Sequence, residues 1–233
     1  MAAKGISVDL NKPLVFQVGQ LGDDYEEWIN KPILSKEGPR FFANPILEFL
    51  TRTAWWVIPL VWLPVATWFV LGSVKMGLTP TELAATFLTG FFGWTFMEYT
   101  LHRFFFHKNF KGYWGNTVHY LLHGCHHKHP MDSLRLVFPP AGAAILASIF
   151  WNLLFKPFIP PSIAPALFGG FLVGYVAYDL THYYLHHGKP VKGVSHKLRR
   201  NHMDHHFRNH DSGYGISSNF WDRVFGTLPP ERS

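Results

Sequence analysis

The chain has 233 residues, of which 48% are hydrophobic, 17% aromatic and 15% charged, with a net charge of +6. Soluble domains carry about a quarter charged residues, so an ordinary soluble protein is excluded. The basic excess follows no zinc-finger, RNA-binding or basic-helix pattern, which argues against a nucleic-acid partner, and a single cysteine, Cys125, excludes an internal disulfide.

Residues 1 to about 40 read as a polar cytosolic arm, irregular or in short helices. Its acidic run, Asp23-Asp24-Tyr25-Glu26-Glu27, is expected to form a solvated face or a docking site for a basic partner. Residues 41–53 (FFANPILEFLTRT) predict an amphipathic helix lying on a membrane surface. Four nearly uncharged stretches follow, at about 54–72, 79–97, 136–156 and 162–180. Each approaches the ~20 residues that a bilayer helix needs. Pro59 and Pro64 predict a kink in the first, and Pro160, Pro161 and Pro165 crowd the start of the last.

Basic residues orient these spans. Six Lys/Arg precede the first span, five lie between the second and third and eight follow the fourth, whereas each hairpin loop holds one, Lys75 or Lys156. The positive-inside rule then places both termini in the cytosol. The fold class expected is an all-α integral membrane protein: four transmembrane helices as two hairpins under a helical cytosolic cap. Residues 1–40 form the arm and 41–233 a single membrane-embedded domain. The net charge is accounted for by this topology and by anionic lipid headgroups.

The cap carries four histidine blocks: His102 and His107; His123, His126 and His127; His182 and His186; His202, His205 and His206. Imidazole is the commonest transition-metal ligand. Residues three or four apart share a helix face, so His182 and His186 can reach one metal, as can His123 with His126 or His127 and His202 with His205 or His206. His102 and His107, five apart, require the helix to end or distort between them. Ten candidates are too many for one ion and suit two. His119, His129, His187, His196 and His210 are read as solvated or hydrogen-bonded residues, and Cys125 as packing rather than a ligand. Glu98, Asp179 and Asp204 are candidates to accept a hydrogen bond from a ligating imidazole. Tyr178, Tyr183 and Tyr184 either line the site or belong to the bilayer interface.

Two metals held by neutral imidazoles at a membrane face point to iron. A structural zinc site is closed with four ligands and usually includes thiolates. Iron would activate oxygen, and the spans would supply a channel for an acyl chain, so oxidation of an unactivated C–H bond is the expected reaction. No Rossmann glycine pattern is present, and His129-Pro130 is followed by Met131-Asp132 rather than by glycines of a haem-binding module. Electrons are therefore expected from a separate protein.

The four blocks resemble those of the fatty acid hydroxylase and sterol desaturase superfamily. The stretch His123-Gly-Cys-His126-His127-Lys-His-Pro-Met-Asp132, with Arg135-Leu-Val-Phe-Pro-Pro140, Tyr178-Asp179-Leu-Thr-His182 and the closing Phe220-Trp221-Asp222, resembles fatty acid 2-hydroxylases, most closely the plant type without an amino-terminal cytochrome b5 domain. The resemblance covers roughly residues 45 to 228. It implies oxygen-dependent 2-hydroxylation of long and very-long-chain fatty acyl groups of ceramides at the endoplasmic reticulum. It implies two iron ions on the ten block histidines, with zinc able to occupy the same positions, and electrons from cytochrome b5 and its reductase. Tyr178 and Asp179 are the candidate catalytic residues beyond the metal centre. Arg135 would pair with an acyl carboxylate or headgroup, or anchor at the interface. The alternatives are another superfamily oxygenase acting on a sterol or carotenoid, and a non-enzymatic membrane metal-binding protein.

Overall fold

The computed structural model of the chain describes residues 7–108, 110–189 and 191–230; residues 1–6 of the expected arm lie outside them. Helix is the only regular structure among the described residues. The organising element is α9, Ala164–His187, which packs along α4, Val57–Lys75, and α5, Pro80–Leu101. Glycines set the spacing. A Cβ on Gly170 would lie 2.0 Å from the Phe87 carbonyl oxygen, and one on Gly90 1.9 Å from that of Leu167. Small residues permit this close backbone approach, the usual device for pairing helices where solvent supplies no hydrophobic drive. Around the seam, Trp94 meets Phe171 and Tyr175 edge-on at centroid distances of 4.8 and 5.3 Å.

Of the four expected spans, α4 is the one helix among the described residues that is long and apolar enough to cross a bilayer by length and composition. α5 has 22 residues and α9 has 24. The third stretch is shorter and later than the sequence predicts: α8 covers Pro140–Phe150 and continues as a π turn, Trp151–Phe155. Pro139 is extended (φ −58°, ψ 135°) and Pro140 takes the first helical position, where a missing N–H costs nothing. The same logic tolerates Pro59 in the first turn of α4, while Pro64 lies inside the helix. Glu82, the one acid of the second stretch, closes a capping box with Thr79 at the start of α5. The hairpins do not pack as two separate pairs: α9 beds into the first hairpin, and α8 buries only Ala143 among its described residues.

The arm is α1, Val15–Val18, a 3-10 turn, Gly19–Asp24, and α2, Tyr25–Ile29. Leu14, Val15, Val18, Leu21, Tyr25 and Ile29 share a core with Phe41, Tyr120 and Cys125. The Lys128 ammonium, 4.4 Å over the Trp28 ring, donates to the Trp28 and Lys31 carbonyls at 2.7 and 2.6 Å. Cys125 is thus packing, and the arm is fastened to the second histidine block. The carboxylates of residues 23–27 stay exposed while Tyr25 is buried.

The surface helix α3 covers only Pro45–Leu50, capped by the Asn44 side chain. Ile46 and Phe49 are 69% and 74% exposed, as an apolar face turned to lipid requires, while Glu48 turns inward to Arg135. Arg135 is held by partners inside the protein and also lines the cavity beside His126. Its guanidinium is buried, pairs with Glu48 and with Asp132 at 2.9 Å, donates to Thr51 Oγ1 at 3.2 Å and lies 4.1 Å over the Phe41 ring. With both carboxylates within reach its charge is spent inside the protein.

Gly170→Ala should separate α9 from α5 and lower stability by about 1–3 kcal/mol, the usual cost of overpacking. Gly93→Ala, on α5 but with open space around its Cβ, should be near neutral; thermal unfolding in detergent compares them.

Candidate metal centre

α5 runs directly into a π turn, His102–Phe106, in which the His107 N–H donates to the His102 carbonyl at 3.2 Å. A π turn closes i→i+5 bonds, so residues five apart come onto one face. This is the distortion that the His102–His107 spacing demands. In the cap, α6, Tyr113–His119, leads into a second π turn, Tyr120–Gly124, and then α7, Cys125–Lys128, which together carry the second block. His182 and His186 lie on the last turns of α9, and His202, His205 and His206 on α10, Val194–Phe207.

The ten imidazoles fall into two groups of five: His102, His107, His123, His127 and His205; and His126, His182, His186, His202 and His206. Within each group the nitrogens lie within 4.8 Å of one another. Each half of the chain contributes four histidines to its own group and sends one across. In both His-x-x-His-His blocks the first and last residues, four apart, point one way and the middle one points to the other group. Successive side chains diverge by ~100° around a helix, so His126 and His127 cannot serve the same centre.

The donor set fits a transition metal in each group. His202 Nε2 has three imidazole neighbours, the Nε2 atoms of His182, His186 and His206, at 3.0, 2.8 and 3.1 Å. One ring nitrogen offers a single proton or a single lone pair, so hydrogen bonding cannot satisfy all three. Two nitrogens each ~2.1 Å from a shared metal and at right angles would be about 3.0 Å apart. The first group shows the same spacing, with His102 Nε2 at 3.1 Å from both His123 and His107, and His205 at 2.9 Å from His107. Nine of the ten are buried and His107 is half-buried. Burial pushes His102 down to about 4 and holds His123, His205 and His206 below the ordinary imidazole range. Neutral rings keep the lone pair that a metal requires.

Main-chain carbonyls orient two of the ten rings. His102 Nδ1 donates to the Tyr214 carbonyl at 2.6 Å and His205 Nδ1 to that of Ser212 at 2.8 Å, leaving both Nε2 atoms turned to the group. The sequence offers Glu98, Asp179 and Asp204 as candidates for this work, and the structure turns Glu98 and Asp179 to other partners. Glu98 accepts from the Ile216 and Ser217 N–H groups at 3.1 and 2.8 Å and from Ser217 Oγ at 2.6 Å. Asp222, on α11 (Phe220–Val224), accepts from Tyr214 N, Gly215 N and Thr227 Oγ1 at 2.9, 2.9 and 2.8 Å. These carboxylates hold the loop whose carbonyls meet the imidazoles. Asp179 accepts from Phe138 N and Tyr175 OH at 3.1 Å each, tying the approach to α8 onto α9, and Asp204 pairs with Arg208 at 3.5 Å. Tyr214 and Ser212 had no signal in the sequence, because every residue carries a carbonyl.

The remaining histidines divide. His119 Nδ1 meets Tyr25 OH at 2.6 Å, and His187 lies against Tyr183 at a centroid distance of 4.8 Å. His129 is buried rather than solvated, while His196 is exposed. His210 is half-buried, its ring 5.5 Å from that of His127.

An apolar cavity of about 240 Å³ reaches His123, His126 and His182 past Leu50, Leu121 and Leu136. A second lies among α4, α5, α8 and α9, against Trp62, Trp94, Phe150 and Phe171. Phe106, Phe138 and Tyr178 line both. The Tyr178 ring also lies over His182 at 6.0 Å.

Asp222→Ala strands two backbone donors and should cost about 1–3 kcal/mol for each, read as a lower midpoint of thermal unfolding. Asp222→Asn, which keeps one acceptor, should recover part of it.

A family profile described as fatty acid hydroxylase matches residues 87–227, a range that includes all ten block histidines. The chain is 58% identical over 233 residues to dihydroceramide fatty acyl 2-hydroxylase FAH1 of Arabidopsis thaliana, covering 100% of this chain and 98% of that protein. It is 42% identical over 228 residues to the ceramide very long chain fatty acid hydroxylase SCS7 of Saccharomyces cerevisiae, covering 94% of this chain and 58% of that protein. A solved structure of full-length scs7p, in which only the hydroxylase domain is visible, matches with a TM-score of 0.90 at 40% identity, over 97% of this chain and 87% of that one. A matched profile over more than half the chain, and a relative of this identity along its whole length, place the protein: the chain belongs to the fatty acid hydroxylase family.

Proposed function

We propose that the chain is an oxygen-dependent 2-hydroxylase of long and very-long-chain fatty acyl groups in ceramide-type sphingolipids, working through two irons, one in each group of five imidazoles. The observation that carries this reading is an apolar cavity that reaches His123 of one group and His126 and His182 of the other. The names of the relatives, dihydroceramide fatty acyl 2-hydroxylase and ceramide very long chain fatty acid hydroxylase, support the substrate class.

His102, His107, His123, His127 and His205 hold one metal and His126, His182, His186, His202 and His206 the other. Bound iron supplies the activation of dioxygen and the oxidation of the C–H bond at carbon two of the acyl group; zinc fits the same donors without that redox chemistry. The protein positions and excludes. Phe106, Phe138 and Tyr178 stand where the two apolar cavities meet, so an acyl chain lying between the spans passes them to bring its carboxyl end beside the imidazoles. Apolar walls keep water from the reacting carbon. Tyr178 is the candidate to orient the chain there, and Asp179 holds the Phe138 backbone and Tyr175 in place around it. Two electrons come from cytochrome b5 and its reductase as separate proteins.

In this reading residues 41–233 form one hydroxylase domain with four spans in the endoplasmic reticulum membrane, and both termini and the imidazole groups face the cytosol. The apolar length of α4 and the exposed Ile46 and Phe49 of α3 support a membrane setting.

Lipid mass spectrometry on cells lacking an endogenous 2-hydroxylase tests the reaction. Expression of the intact chain should restore 2-hydroxy acyl ceramides, and the double variant His182→Ala, His186→Ala should not. No product from either, with folded protein and cytochrome b5 present, would overturn the assignment; equal product from both would overturn the ligand set. Metal analysis of the purified protein should give about two ions per chain. His107→Ala and His186→Ala should each lower that number towards one, because they remove donors from different groups.

A further inference from the structure

A third cavity, of about 260 Å³, shares no lining residue with the apolar pair. It lies between the arm and the segment after α10, walled by Tyr25, Glu26 and Asn30 on one side and by Asn209, His210 and Asp211 on the other. It reaches His107 and His127, two imidazoles of the first group, and His107 is the one block histidine that is not fully buried.

We infer that this cavity is the inlet by which a divalent transition-metal ion reaches the imidazole groups, with His210 as a transit ligand and the acidic run of the arm as the attractor at its mouth. The inference rests on the two-metal reading of the site. A hydrated dication pays a desolvation cost along cavity walls that are mostly apolar, whereas the polar cavity offers oxygen and nitrogen donors along its length.

His210 stands next to the first group as a sixth imidazole. Its ring is 5.5 Å from that of His127 and 6.3 Å from that of His205. Its Nδ1 is buried with no hydrogen-bond partner among the described residues. A donor so placed can take an ion from the mouth and release it to the neighbouring rings, which outnumber it. Carboxylate and imidazole side by side suit the divalent first-row metals that an all-imidazole centre also binds.

The charge pattern agrees. The chain as a whole carries +6, yet exposed Glu26 and Asp211 line this cavity, and Asp23, Asp24 and Glu27, the last paired with Lys31, are exposed within three residues of Glu26 in the chain. Arg208, which also lines it, reaches Asp204 at 3.5 Å. A local acidic field raises the arrival rate of a cation by roughly 10–1,000-fold at low salt. The acidic run therefore gains a role that packing alone does not give it, since Tyr25 between these acids is buried and the acids are not.

Cobalt loading tests this. Apo protein, prepared by chelation and held in lipid nanodiscs, is mixed with Co2+ and uptake is followed by ligand-field absorption. His210→Gln should load about tenfold more slowly and reach the same final cobalt content as the intact chain. Asp211→Lys, an exposed substitution that keeps the test open if the first variant folds poorly, should also load more slowly and lose much of the salt dependence. Both variants loading at the intact rate would overturn the inference and leave the cavity to water or protons. A lower final cobalt content at an unchanged rate would also overturn it, making His210 a resident ligand. If the intact chain takes up no cobalt, the two-metal reading itself fails and the inlet with it.

Discussion

Gathering ten imidazoles, nine of them buried, into two groups whose neighbouring Nε2 atoms lie about 3 Å apart imposes the condition that the rest of the structure answers. An imidazole in water titrates near 6.5, and two protonated rings at such a spacing would repel strongly in a medium that screens poorly. Burial favours the neutral ring and holds His102 below the ordinary imidazole range. Neutral rings whose lone pairs face one another then need a cation between them. Nine of the ten histidines accordingly lie within helical or π turns, and His107 closes the turn that His102 opens. The same requirement explains why α5 ends in a π turn where an ordinary helix would turn His107 away from His102.

The irregular segments around the groups are held by buried charge and backbone bonds. Glu98, at the end of α5, gathers the N–H groups of Ile216 and Ser217, and Asp222 gathers those of Tyr214 and Gly215. Between them the loop presents two carbonyls to His102 and His205. Arg135 does comparable work on the other side. Its contacts with Glu48, Asp132 and Thr51 bind the surface helix to the segment after the second block. Breaking such a network leaves an uncompensated buried charge, which costs more than the intact network contributes. The anchor of the surface helix and the wall of the cavity beside His126 are therefore the same group of side chains.

The helices below are built for a different purpose. Glycines let α9, the helix that carries His182 and His186, approach α4 and α5 closely. α8 stands off from these three helices with a single buried residue, and the apolar cavity among α4, α5, α8 and α9 lies beside it. Tight packing on one side of α9 and loose packing on the other place an apolar volume next to fixed imidazoles. An acyl hydroxylase needs that pairing.

Much of this was legible in the sequence. The all-helical class follows from long apolar stretches without strand alternation. The four blocks and their spacings mark the ten histidines and demand a distortion between His102 and His107. Local periodicity carries that much, because residues four apart share a helix face wherever the helix goes. Periodicity could not say that His126 and His205 each cross to the group of the other half, since that depends on how α7 and α10 face one another. Nor could it replace Glu98 and Asp179 by the carbonyls of Tyr214 and Ser212, because a carbonyl acquires a partner only when a distant loop is held against it. Arg135 carries the same lesson: its charge was visible in the sequence, but Glu48, 87 positions away, becomes its partner only in the folded chain. The sequence determined which side chains are chemically able to hold metal and which helices carry them. Tertiary packing alone decided which five share a centre, because ligand sets are fixed by distances between elements that the chain brings together only on folding.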